Sequence, residues 1–177
     1  MSPELEKQLI EKYPILFRDV NKSPKETCMC WGIEAGSGWY DIIDNLCGYI
    51  THLQKSRSYF LSLKKDIKDG DDKSFDGRFK CPDVIFSQTK QKYGTLRVYW
   101  HFKELENYEK IKSKLKSLEQ LDEYINKYHD MVENAIEFCE YLSSITCEEC
   151  GKPGKLYTEG WYMTLCPEHA KERNYID

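Results

Sequence analysis

The chain has 177 residues, enough for one ordinary domain with a small appendage and long enough to bury a core without staples. Its 26 Lys and Arg stand against 30 Asp and Glu, a formal net charge of −4, which argues against a duplex DNA binder that works by neutralising many phosphates. An aromatic share of 14%, with 13 Tyr and 4 Trp, excludes a disordered segment.

No apolar run approaches the roughly 18–20 residues that span a bilayer. The opening Met1-Ser2-Pro3-Glu4-Leu5-Glu6-Lys7 lacks the basic and apolar zones of a signal peptide. The expected compartment is therefore cytoplasmic, where the 8 cysteines stay reduced and a Cys/His grouping reads as metal ligation rather than disulfides.

The spacing of Leu5, Leu9 and Ile10 predicts a short amphipathic helix over 3–13, closed by Pro14. Turn-rich sequence follows, and then Cys28-Met29-Cys30-Trp31-Gly32-Ile33-Glu34-Ala35-Gly36-Ser37-Gly38-Trp39. Its three glycines predict a bent loop that lets backbone approach something closely. From Trp39 to about Ser56, Ile42, Ile43, Leu46, Ile50 and Leu53 recur at helical spacing. A further helical stretch through Tyr59, Phe60, Leu63 and Ile67 leads into a polar loop that ends at Gly77.

Residues 84–90 and 95–102 alternate like strands around a glycine-containing turn, which predicts a hairpin. On its second strand Leu96, Val98, Trp100 and Phe102 share one face, and Thr95, Arg97, Tyr99 and His101 share the other. From Leu105 to about Ile145 the pattern is helical again, with a break near Ser117. The expected fold is α+β, with helices packed on a small antiparallel sheet over residues 1–145 and a separate module over 146–177.

That module carries the strongest motif. Cys147-Glu-Glu-Cys150 and Cys166-Pro-Glu-His169 are two ligand pairs, each with two residues between. Two such pairs complete a tetrahedron around Zn²⁺ and leave no place for water, so a bound zinc would be structural. The turn Gly151-Lys152-Pro153-Gly154, a small hairpin and Pro167 at a helix start suggest a treble-clef or zinc-ribbon-like arrangement. Reduced core cysteines with accidental spacing, an iron site and a redox dithiol are the competing readings. Cys28 and Cys30 could contribute to a second metal site, and the other cysteines read as core.

No metal-hydrolase spacing, nucleophile elbow or phosphate-binding loop accompanies His52, His101 or His129, so no enzyme is indicated, although a triad assembled in space would escape a sequence. Aromatic and cationic residues instead gather near flexible backbone. Aromatic faces stack on bases and Lys or Arg pairs with phosphate. Trp31, Trp39, Tyr93 and Tyr99 are thus candidates for stacking, Lys92 and Arg97 for phosphate, and Glu34 and Ser37 for hydrogen bonds to a base or ribose. Core packing is the leading reading for Trp31 or Trp39 taken alone, and Arg97 could equally pair with an acid. Trp161 and Tyr162 are expected to cover the zinc module.

Met29, Trp31-Gly32-Ile33, Gly36-Ser37-Gly38-Trp39-Tyr40, Gln88, Lys90-Gln91-Lys92-Tyr93-Gly94-Thr95-Leu96-Arg97-Val98-Tyr99 and the Cys147–Gly154, Gly160-Trp161 and Thr164–His169 runs resemble a widespread family of small bacteriophage-encoded proteins. The family more often has Asp at the position of Ser37. The resemblance implies a phage accessory protein made in an infected bacterium. It suggests a sponge that sequesters a cyclic-oligonucleotide-type signal of host immunity, with a homodimer formed through the helices after residue 104. The alternatives are a protein that grips a host or defence protein, and a zinc-containing nucleic-acid module.

Overall fold

The computed structural model describes residues 1–55, 81–103 and 118–176, with side chains from 125 onward in the last span. The expected helix through Tyr59 to Ile67, the loop after it and the stretch 104–117 lie outside the described residues.

Helix α1 (Pro3–Lys12) starts where Ser2 caps it, the Ser2 hydroxyl accepting the Leu5 N–H at 3.4 Å with Pro3 in the first turn. Its buried residue is Leu9, and Pro14 disfavours helical geometry beyond. Tyr13 and Lys12 then reach Asp44 of α2 (Tyr40–Lys55), the Tyr13 hydroxyl donating to Asp44 Oδ1 at 2.9 Å. Helix α2 buries Ile42, Ile43, Leu46, Cys47, Ile50 and Leu53, the stripe its 3.6-residue period prescribes.

Strands β2 (Val84–Lys92) and β3 (Thr95–Phe102) form the expected hairpin, with a turn of two residues where the sequence implied four, 91–94. Its two turn residues, Tyr93 and Gly94, have φ of 54° and 77°, the pair of left-handed conformations that matches strand twist in a two-residue turn. Leu96 and Val98 are buried while Tyr99 and His101 are exposed, as alternation requires.

The sheet differs from expectation in one respect. A third strand, β1 (Ile33–Glu34), pairs in parallel with β2, Ile33 opposite Thr89 and Glu34 opposite Lys90. Two residues carry no periodic signal, so this part of the glycine loop reads as a loop until β2 lies beside it.

Helix α3 (Leu118–Ser144) closes the main core with Tyr128, Val132, Ile136 and Cys139, spaced four, four and three apart on one face. The Leu96 N–H donates to Ser143 Oγ at 2.8 Å, which fixes β3 along this helix. After α3, strands β4 (Lys155–Tyr157) and β5 (Met163–Leu165) pair antiparallel, and helix α4 (Pro167–Glu172) starts from Cys166. This tail has a core of its own: Cys147, Tyr157, Leu165, Cys166 and Ala170. The architecture is thus α+β with a Cys/His cluster near the C-terminus. No helix among the described residues is long and apolar enough to cross a membrane.

Candidate metal centre

The two Cys/His pairs converge because each sits on a local structure that aims both its ligands the same way. In the first, the Cys147 N–H donates to Lys152 O at 2.7 Å and the Gly151 N–H returns to Cys147 O at 2.9 Å. Gly151 takes the left-handed φ of 75° that this reversal needs. In the second, Cys166 precedes α4 and His169 lies in its first turn, so both face the knuckle.

One potential ligand atom from each of Cys147, Cys150, Cys166 and His169 lies within 4.8 Å of all the others. His169 Nδ1 is 3.4 Å from Cys147 Sγ and 3.3 Å from Cys166 Sγ, and Cys150 Sγ is 3.8 Å from Cys166 Sγ. A tetrahedral zinc with Zn–S about 2.3 Å and Zn–N about 2.0–2.1 Å places sulfurs about 3.8 Å apart and sulfur and nitrogen about 3.6 Å apart. The cluster has the dimensions and the donors for such an ion.

The backbone N–H of His169 leads the groups that lower the Cys166 thiol, to about 7. On the outer side, His169 Nε2 is 3.7 Å from Glu172 Oε2, the carboxylate partner that orients many metal-binding imidazoles. Among the described residues this is the one group of three or more such side chains, and Cys28 and Cys30 are not in it. Burial pushes the Cys81 and Cys139 thiols up to about 12 and about 11, and holds Cys47 well above its ordinary value. They are packed and inert.

The glycine loop does approach something closely, and that something is the knuckle. The Gly38 N–H donates to Glu148 O at 2.7 Å, and the Gly36 N–H to Glu148 Oε1 at 3.1 Å. A Cβ on Gly36 would stand 2.2 Å from Glu148 O, and one on Gly38 would stand 2.3 Å from Cys147 O. Those neighbours are backbone and cannot swing away. Glu148, between the ligand cysteines, is the contact that sequence reasoning missed, because nothing marks one acid of a Cys-Glu-Glu-Cys run as buried.

This placement corrects the expected ligand pocket at the loop. Trp39 is fully buried and its Nε1–H donates to Thr146 O at 2.8 Å, so its faces are packed and closed to any base. Ser37 Oγ accepts the Ser2 N–H at 2.9 Å. Trp31 is 65% exposed at the end of a short 3₁₀ turn (Cys28–Trp31). Glu34 lies on the outer face of the sheet, where Gln88 Nε2 reaches its carboxylate at 3.4 Å. Tyr99 is on the same face under the Lys90 ammonium, 5.4 Å from its ring centre.

Arg97 is committed to the helix. Its Nη1 sits 3.1 Å from Glu140 Oε2 of α3 and donates to Thr95 Oγ1 and Leu96 O at 2.6 and 2.7 Å. Burial raises the Glu140 carboxyl above the ordinary range, the Arg97 guanidinium opposes that rise, and Glu133 and Glu137 add to it. Arg97→Ala should destabilise the fold by up to about 1 kcal/mol near neutral pH. Without Arg97 the folded-state pKa of Glu140 climbs further above its unfolded value. The folded chain then takes up that proton first, and the loss fades as pH falls through the raised value. Urea unfolding at about pH 7 and about pH 5 checks this, and an equal loss at both would remove the pair as the cause.

Of the expected set, Lys92 and Tyr93 line an open cleft of about 540 Å³ where the hairpin tip meets the β4–β5 loop, and Tyr99 lines a separate one with His101 and His129. Lys90, Trp161 and Tyr162 share the first. The two tail aromatics thus face the hairpin tip. No protein-family model, curated protein or solved structure matches this chain.

Proposed function

We propose that this chain is a zinc-fastened, non-enzymatic protein that captures a small nucleotide-type signal and holds it away from the host's defences. The observation that carries this reading is where the metal cluster stands. Four protein donors fill a tetrahedron and leave no coordination place for a substrate. The cluster clamps the tail onto the glycine loop and the hairpin tip through the Glu148 and Trp39 contacts and through Thr164 Oγ1, which donates to Gly94 O at 2.7 Å. A metal used this way supports a recognition surface. The exposed side chains it supports are Lys and aromatic, the chemistry that suits a base and its phosphate. Zinc is the ion this donor set favours, since three thiolates and an imidazole in a closed tetrahedron suit it best. The host setting rests on the resemblance of the sequence motifs alone.

Calorimetry of the metal-loaded protein with cyclic di- and trinucleotides tests the proposal. Binding with stoichiometric recovery of intact ligand after denaturation is expected; recovery of a hydrolysed product would replace capture with catalysis. A second reading, a grip on a host or defence protein, draws support from a groove of about 550 Å³ between α2 and α3, beside the exposed Phe138 and Tyr141. It predicts a stoichiometric protein partner on purification from host lysate.

A further inference from the structure

Trp161 is 73% exposed, Tyr93 66% and Tyr162 42%. Three large aromatics left in water within one small area are unusual unless something covers them. Two of them sit at turns. Tyr93 sits in the left-handed region with φ 54°, uncommon for an aromatic residue, because the two-residue turn demands it. Trp161 follows Gly160, which has a left-handed φ of 94° in the β4–β5 loop.

The two walls are joined and held at fixed separation. Gln91 Nε2 donates to Tyr162 O, the Tyr93 and Tyr162 rings meet edge to face with centroids 6.1 Å apart, and Tyr175 donates its hydroxyl to Trp161 O. Gly94 makes the approach possible, since a Cβ there would fall 2.3 Å from Leu156 Cδ1. The cleft is thus a built junction rather than a gap between loose loops.

Its charge is cationic. The Lys92 ammonium lies 5.4 Å from the Tyr93 ring centre and Lys90 lines the same space. Neither lysine has a carboxylate partner among the described residues. Glu159, the acid of the β4–β5 loop itself, accepts the Thr158 N–H. Two cations without counter-ions beside three exposed ring systems match a ligand with one flat aromatic part and one anionic part. The volume falls within the roughly 300–1,000 Å³ of small-molecule sites.

We propose that the cleft between the hairpin tip and the β4–β5 loop seats a free nucleotide, its base stacked on Trp161 and its phosphate held by Lys92 and Lys90. This rests on the nucleotide-capture reading and moves its site away from Trp39 and Arg97. A free nucleotide is preferred to a nucleic-acid strand because the cleft is short and the chain's net charge of −4 disfavours tracking a polyanion.

Zinc-loaded protein titrated with AMP, GMP, cyclic di-AMP, cyclic di-GMP and a single-stranded oligonucleotide tests this, read by calorimetry and by the quenching of tryptophan fluorescence that Trp161→Ala removes. At least one small nucleotide should bind, and Trp161→Ala and Lys92→Glu should each weaken it about ten-fold or more. His101→Ala, on the sheet's exposed face, should change it little. Both variant sites are exposed, and metal content and circular dichroism establish that each variant is folded. Unchanged affinity in both variants would overturn the site and leave nucleotide capture standing. No binding by any small nucleotide would overturn both. Affinity that rises with oligonucleotide length would replace the free nucleotide with a strand.

Discussion

Chelating the metal from the purified protein should unfold residues 146–176 and leave the main core standing. The tail buries only Cys147, Tyr157, Leu165, Cys166 and Ala170 as its own core, and two of those five are ligands. So small a set offsets little of the roughly 1–2 kcal/mol per residue that ordering a backbone costs. A bound ion would supply the difference. Structural zinc in small modules binds with an apparent free energy of about 10–16 kcal/mol, and that binding energy is folding energy. The main core, by contrast, draws on α1, α2, the sheet and α3.

Limited proteolysis of the chelated protein should cut within the tail, first in the β4–β5 loop, and return to resistance on adding zinc. Loss of the tail removes Trp161 and Tyr162 from the cleft, so nucleotide uptake should disappear in the same titration. A tail that stays resistant after complete metal loss would mean that packing against the glycine loop holds it unaided.

Trp39→Ala should cost roughly 3–5 kcal/mol of stability, as deletion of a buried aromatic does. Trp39 is among the largest fully buried side chains, and it packs in the main core while its indole N–H reaches Thr146 O, one residue before the first ligand cysteine. It therefore joins the core to the metal module. Trp39→Phe separates its two contributions: much of the ring volume stays, but a buried carbonyl loses its donor at a cost of about 1–3 kcal/mol. Urea unfolding of the two variants gives both numbers. A stability close to wild type in Trp39→Ala would contradict the buried placement and return Trp39 to the list of surface stacking residues.

The parts of this fold legible in the sequence are those fixed by near neighbours in the chain. Helices α1 and α2 show in the spacing of Leu9 and of Ile42 to Leu53, the hairpin in its alternation and its Tyr93-Gly94 turn, and the metal ligands in two short pairs. What stayed hidden depends on which distant segment lies against which. The need for close approach at Gly36 and Gly38 was readable from the glycines, but its object was not: the loop meets Glu148, some 110 residues on in sequence, at 3.1 Å. A guanidinium on a strand's polar face looks free until α3 brings Glu140 to it. Conversely, Trp161 and Tyr162 read as a lid on the metal, because only the folded chain shows that the hairpin tip completes a cleft beside them.

X-ray absorption at the zinc edge of the purified protein measures the central claim most directly. One zinc per chain is predicted, with three sulfurs at about 2.3 Å and one imidazole nitrogen at about 2.0–2.1 Å, reduced to two sulfurs in Cys150→Ser. A shell of oxygens, a site with an open position taken by water, or a full three-sulfur shell retained in Cys150→Ser would contradict it.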